Sequence, residues 1–558
     1  MMKKTKIGIL MRNSSCPTCL RDTLDTLAAN ARIELYLLRG TQKTPGGIRR
    51  VMKRVRDVGL LRFASIAFFN MVELAERRVL GALDAGLRRH YASAPMEESL
   101  FRRVIELSPV RSKRGISVTY PVGDIEKILA LDLDLIVRGN EGAIIKGAIL
   151  GASKEGIISF HHGDNRWNRG GPPGFWEVYL KREATGFIVQ LLTETLDGGS
   201  VIYRGEVATR RTFTENQVHV KESSNPLMAQ IIERYAATGN LPPAYPPAPF
   251  SHALLRTPKF SVTAAYLLRN LRMFAALFVK RKLLKRNQRW HVAFARAEWK
   301  NLTLSTATVI ESPKGRFFAD PFVASRDGQQ VIFVEDYHYA AGEAAISAIA
   351  LQPGGGYQII PDVIKEPFHL SFPFTFEFDG ALYMVPESSA SGTIRLYQCV
   401  QFPDRWEFKH ELMQGVCAAD TMLFEHGGRW WLLTNLATDY SRKNRTQLFA
   451  FSADSPLSTE WVAHTENPIR FEAIAGRNGG LLRGADGAPY RVGQKPGFCT
   501  YGAGIRISEI VRLDQDNFSE VEYCDVEARF APGLVGMHHM HSHGGVTVFD
   551  FARDERPN

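Results

Sequence analysis

Along this chain the rhythm of apolar and polar positions changes once, near Trp290. Before that point, short apolar runs alternate with stretches of helical period. Residues 6–11 and 33–38 read as buried strands around a helix over 23–31, the opening of a Rossmann-like sheet. Residues 132–138 and 156–160 predict two more strands, the second delivering His161 to its carboxyl end, where open α/β sheets place their ligands. Residues 143–150 predict a short apolar helix, 175–178 the start of another, and 185–192 a strand that leads into Leu196-Asp197-Gly198-Gly199. Between them, Arg169-Gly170-Gly171-Pro172-Pro173 is too rich in Gly and Pro to continue a regular element.

After Trp290 the helical period fades, and short aromatic-rich strands alternate with Gly-containing turns. Hairpins are predicted over 322–334, 374–385, 422–433, 478–492 and 536–551, with Asp327-Gly328, Asp379-Gly380 and Gly427-Gly428 as the first three turns. A hairpin about every fifty residues predicts a five-bladed β-propeller. The expected organisation is multidomain: an α/β Rossmann-like domain over 1–235, a basic helical linker over 236–290 and an all-β propeller over 291–558.

A chain of 558 residues with 45% hydrophobic and 23% charged positions fits two or three globular domains and not a disordered protein. Its net charge of +11 is unevenly spread: residues 1–290 carry 46 Lys and Arg against 25 Asp and Glu, the remainder 23 against 33. Two basic stretches, 49–89 and 256–289, dominate. In the second, the apolar run 264–279 is interrupted by Arg269 and Arg272, which argues against a bilayer span. A linker helix packed between domains, a helix lying on an anionic membrane surface and a nucleic-acid patch remain open. No RNA-binding motif accompanies the charge, so nucleic acid is not an expected partner. Six cysteines show no disulfide framework, and the first six residues lack the apolar core of a signal peptide. The cytoplasm is the expected compartment, with a membrane-peripheral position as the alternative.

Candidate chemistry concentrates between Ile158 and Asp197. A histidine at a strand end and a carboxylate on a later Gly-rich loop suit proton transfer, because imidazole titrates near neutrality and an adjacent carboxylate favours its charged form. His162, Asp164 and Asn165 read either as substrate contacts or as a polar loop cap. Cys16-Pro17-Thr18-Cys19 is a CxxC at a helix start. With no second CxxC, incidental thiols are expected there, and a redox pair or metal half-site is the alternative. No metal site is expected in the His-rich segment 536–541, which lacks a spaced ligand set.

The segment around His161 resembles the formyltransferase family of methionyl-tRNA, glycinamide ribonucleotide and sugar N-formyltransferases. His161, Arg169-Gly170, Thr185-Gly186 and Leu196-Asp197-Gly198-Gly199 match the family's order. Ser159 replaces the family's asparagine, and His162-Gly163-Asp164-Asn165-Arg166 replaces its Pro-Ser-Leu-Leu-Pro loop. The resemblance implies 10-formyltetrahydrofolate as cofactor, His161, Asp197 and Ser159 as catalytic residues, and Arg169 and Gly170 beside the substrate or cofactor. The replaced asparagine is an oxyanion donor, a role worth roughly 3–4 kcal/mol.

Phe318-Ala319-Asp320-Pro321-Phe322, Val385-Pro386-Glu387-Ser388-Ser389 and Ala419-Asp420-Thr421 resemble the five-bladed furanosidase-like propellers, closest to the amino-terminal domain of glucosamine inositolphosphorylceramide transferases. The resemblance implies Asp320 as base or nucleophile and Asp420 as the carboxylate that tunes proton affinities. Glu387 is the available acid, and Arg477 and Asn478 line the funnel. Three functions follow: formyl transfer to a nucleotide- or lipid-linked amino sugar in surface glycan biosynthesis; glycosyl transfer or hydrolysis through the propeller; and glycan binding without catalysis. A sugar or nucleotide-sugar partner is common to the first two.

Overall fold

The computed structural model describes residues 4–41, 52, 55–113, 115–439 and 446–556. The start of the first basic stretch, at Arg49, lies outside them. The chain divides into two compact units, with the division between Arg272 and Met273.

The first unit is built on a seven-stranded sheet: β1 (Thr5–Met11), β2 (Ile33–Gly40), β3 (Arg103–Leu107), β4 (Leu135–Arg138), β5 (Ile157–His161), β6 (Ala184–Leu191) and β7 (Ser200–Ala208). The spatial order is β7-β6-β5-β4-β1-β2-β3. Five strands run parallel, and β6 and β7 continue the sheet antiparallel from β5. Ile7, Ile9, Leu37, Leu38, Leu135 and Ile136 are fully buried, as expected for apolar strands covered on both faces. The chain order reverses at β1, which lies between β2 and β4, and this switch point opens a crevice at the carboxyl ends of the strands.

Helices Thr18–Ala29 and Phe213–Thr238 pack together. The second starts in a capping box between Thr212 and Glu215 and ends at Gly239 in the left-handed conformation. Residues 143–150 are not the predicted helix. They form a two-residue strand, Ile144–Ile145, and a 3₁₀ turn, Ala148–Gly151. An apolar run this short does not distinguish helix from strand, and glycines at 142, 147 and 151 punctuate it.

The second unit contains five antiparallel sheets. Four are consecutive blades that start at Arg316–Arg326, Ser371–Phe378, Ala418–His426 and Asn478–Arg483. The fifth pairs Asn287–Ala295 with Val546–Glu555, so strands from opposite ends of the unit close the ring. All five predicted hairpins fall within these sheets. The first strand of each consecutive blade breaks register at one equivalent place: after Ala319, Ser371, Ala419 and Asn478. The bulge holds Asp320, Phe372 and Asp420 at φ of +47°, +46° and +50°. Such bulges re-aim side chains, and here they collect the residues of the funnel.

Candidate functional sites

In the first unit a cavity of about 570 Å³ opens at the carboxyl ends of the parallel strands, with Ser159, His161, Gln190 and Asp197 in its wall. This size falls within the usual range for small-molecule sites. Strand β5 ends at His161, whose ring is almost fully buried. Its Nε2 meets the Asn168 carbonyl at 2.8 Å, and its Nδ1 lies 3.4 Å from Asp197 Oδ1. With the Nε2 proton donated to Asn168, a proton exchanged with substrate or with Asp197 belongs to the Nδ1 edge. Gly163 is required beside the ring, since a Cβ there would lie 2.9 Å from Nε2.

Asp197 is itself fixed. Its Oδ2 accepts from Gly170 N at 3.1 Å, and its carbonyl accepts from the Asn165 amide at 3.2 Å. Gly170 sits at φ +96° with the Leu255 carbonyl 2.3 Å from where a Cβ would stand, so no side chain fits. Asn168 is held in turn by Glu177, at 2.7 Å, whose burial pushes its carboxyl up to about 7.

The remaining predicted residues separate. His162 lines the cavity, stacks on Phe160 and is pushed well below the ordinary imidazole range by burial and by Lys221. Asp164, Asn165 and Arg169 are not in the cavity wall. Asp164 is gripped by Arg166 and Arg204, Asn165 holds the Asp197 backbone, and Arg169 lies over the Phe250 ring at 3.7 Å. These three shape the loop. The sequence reading missed Gln190, which faces Ser159 directly across the β5–β6 pair. Gln190 Oε1 accepts from Gly199 N at 3.0 Å, so its amide NH₂ is the end left to donate.

In the second unit Asp320, Glu387, Asp420, Arg477 and Asn478 do converge. Arg477 pairs with Asp420 through Nε and lies 3.7 Å from Glu387. Asn478 donates to the Asp420 carbonyl at 2.8 Å, and Gln494 reaches Asp420 Oδ2 at 3.3 Å. His538, Asp550 and Glu335, absent from the predicted catalytic set, complete the cluster. His538 lies between two carboxylates, with Nε2 3.2 Å from Asp320 and Nδ1 2.7 Å from Asp550. Burial alone would push this imidazole down, but Asp550 and Asp320 outweigh it and hold it well above its ordinary range.

Burial would also raise Asp320, yet His538, His539 and Arg477 hold it down at about 2. Glu335 is raised well above the carboxylate range by burial and by Asp320. At Asp420, burial and Glu387 outweigh Arg477 and bring the carboxyl up to about 6. Within the funnel Asp320 is thus pushed down while Glu335 and Asp420 are pushed up. Neighbouring carboxyl groups whose proton affinities are driven apart are the ones that divide acid and base roles.

Comparison with known proteins agrees with this division of the chain. Residues 284–533 match the family model described as glucosamine inositolphosphorylceramide transferase 1, N-terminal. That match falls within the second unit. Glucosamine inositolphosphorylceramide transferase 1 of Arabidopsis thaliana is 34% identical over 209 residues, which are 37% of this chain and 27% of the plant protein. Methionyl-tRNA formyltransferase of Bacillus mycoides is 32% identical over 130 residues, 22% of this chain and 41% of that enzyme. The amino-terminal part is formyltransferase-like, and its relatives, like those of the propeller, are transferases. The chain thus spans less than half the length of either relative. Among solved structures, glycinamide ribonucleotide transformylase 1 from Symbiobacterium toebii aligns over 42% of this chain and 88% of its own, at 14% identity and a TM-score of 0.27. A family 117 glycoside hydrolase from Zobellia galactanivorans aligns over 47% and 90%, at 10% identity and a TM-score of 0.31.

Proposed function

We propose that the first unit transfers a formyl group from 10-formyltetrahydrofolate to the amine of a nucleotide- or lipid-linked amino sugar in surface glycan biosynthesis. The observation that carries this reading is the His161–Asp197 pair at the edge of the cavity of about 570 Å³ at the end of β5. The cavity suits a polar heteroaromatic ligand: the buried His162 Nε2 lacks a protein partner and the residue lines it. The carrier, when bound, supplies an activated formyl carbon. His161 Nδ1 takes the proton that the attacking amine loses, and Asp197 stabilises the imidazolium so formed. Gln190 and Ser159 stand where a donor to the developing oxyanion is needed. The products are an N-formyl sugar and tetrahydrofolate.

Calorimetry with folate, followed by formyl transfer to a panel of amino-sugar nucleotides, tests the reading. Binding and turnover are expected, with turnover lost in His161→Ala. An absence of folate binding would remove this function.

A second reading is favoured by Asp320, whose carboxyl is held low, and Glu335, whose carboxyl is held high: glycosyl transfer or hydrolysis in the funnel. Sugar turnover that disappears in Asp320→Asn and persists in His161→Ala would establish it.

The working location we propose is an anionic membrane surface reached from the cytoplasm. Helix Phe260–Phe278 buries Thr263, Tyr266 and Asn270 on one face. Tyr266 accepts from Phe213 N at 2.7 Å, and Arg269 donates to the Tyr179 carbonyl at 2.7 Å. Leu267, Leu268, Leu271, Phe274 and Phe278 of the same helix are exposed, and Lys280, Arg281 and Lys282 follow. Among the described residues, Phe260–Leu283 is the one helical segment long and apolar enough to cross a membrane. Its packed face supports lying along the surface instead, and no acidic residue occurs from 234 to 297 to repel anionic lipid. Cosedimentation with anionic vesicles, weakened by salt and by Leu271→Asp with Phe274→Asp, is expected. Equal partition onto neutral vesicles would sink the idea.

A further inference from the structure

The CxxC reading leaves a residue unexplained. Cys16 and Cys19 are both free thiols with different surroundings. Cys16 is buried in a short strand, Ser15–Pro17, where its Sγ lies 3.5 Å from the Pro17 carbonyl. Cys19 is in the first turn of helix Thr18–Ala29 and meets residues far away in sequence. His90, buried in helix Ala85–Tyr91, places Nδ1 2.5 Å from Glu222 Oε1, and Glu222 belongs to the capped helix Phe213–Thr238. Cys19 Sγ, a His90 nitrogen and a Glu222 oxygen all lie within 4.8 Å of one another.

We propose that Cys19, His90 and Glu222 bind a single Zn²⁺ ion. Three features carry the assignment. The donor set of thiolate, imidazole and carboxylate is one that zinc accepts, whereas calcium and magnesium require oxygen alone. A thiolate and a carboxylate with a neutral imidazole balance the charge of a divalent ion. Each ligand comes from a different helix, so the site is created by the fold and ties those helices together. Cys19 and His90 also line the cavity that contains His161. Three protein ligands leave a fourth position for water or a substrate group, the arrangement of zinc sites that take part in chemistry. The proposal does not depend on formyl transfer.

The test uses the full chain, stripped with a chelator and then supplied with Zn²⁺ or Co²⁺. One equivalent of zinc per chain is expected by plasma mass spectrometry, and a thiolate-to-cobalt charge-transfer band with Co²⁺. Cys19→Ser should lose the band, Glu222→Gln should weaken zinc at least about tenfold, and Cys16→Ser should bind as the wild type. Alkylation of the unmodified protein gives an answer that needs no variant to fold: Zn²⁺ should slow modification of Cys19 relative to the other five cysteines. Sub-stoichiometric zinc, a band retained in Cys19→Ser, or equal alkylation of Cys19 with and without Zn²⁺ would overturn the assignment.

Discussion

Ser159 and Gln190 stand opposite each other in the antiparallel pair that joins β5 to β6, and both line the cavity beside His161. The pairing brings a carboxamide to the neighbourhood from which the family's asparagine is missing. Gln190→Leu should therefore lower the rate of formyl transfer roughly a hundredfold, about the loss for one oxyanion donor, with folate affinity little changed. Single-turnover kinetics measures it. A rate within twofold of wild type would remove Gln190 from the chemistry.

Asp197 sits at φ +50°, a backbone region that asparagine also tolerates. Asp197→Asn should keep the fold and the Gly170 hydrogen bond while removing the negative charge beside His161. Turnover is expected to fall by roughly two to four orders of magnitude, as when a histidine's orienting carboxylate is neutralised elsewhere, with an unchanged melting temperature. A parallel loss of stability would instead mark Asp197 as a loop anchor.

In the propeller, Arg477 is the cation that faces both Asp420 and Glu387. Arg477→Met leaves two buried carboxyl groups without it and should cost about 3–5 kcal/mol. Adding Asp420→Asn should recover part of that loss, because one of the stranded charges is then gone. Urea denaturation of the single and double variants checks the order. Equal stability of the single variant and the wild type would show that the pair is not coupled to folding.

His539 is fully buried against Phe322 and Phe372, and that burial lowers its pKa to about 4. The unfolded chain takes up this proton near pH 6.5, while the folded chain resists until about pH 4. Protons therefore favour the unfolded state in that window, and stability falls as the pH drops from 6.5 to 4. The loss from this one group is on the order of 3 kcal/mol. His539→Leu should flatten that part of the curve in denaturation series at pH 7, 5.5 and 4. An unchanged slope would assign the acid sensitivity to other groups.

Much of this architecture is legible in the sequence because it is written locally. Asp327-Gly328 and Asp379-Gly380 mark the turns of the inner hairpins, and the apolar run before His161 marks a strand end. Asp420 and Arg477 are picked out as funnel residues by the resemblance to propellers, not by any local signal. Contacts between distant segments were not legible. Nothing near Asp320 announces that Asp550, 230 residues later, will accept its backbone N–H. His90 and Glu222 are 132 residues apart, on helices whose contact only packing decides. Asp164 has two local readings, substrate contact or polar loop cap, and in the fold Arg166 and Arg204 pair with it.

The pairing of Asn287–Ala295 with Val546–Glu555 sets an order of events at the ribosome. Domains emerge and fold from the amino terminus onward, so the Rossmann-like sheet, finished at Ala208, has all its strands before the ring begins. The ring's first strand must then wait, with one edge unsatisfied, until the last has been synthesised. Four blades accumulate in the meantime. For that interval the nascent chain carries an open sheet edge, and its protection from aggregation rests on how quickly Val546–Glu555 arrives.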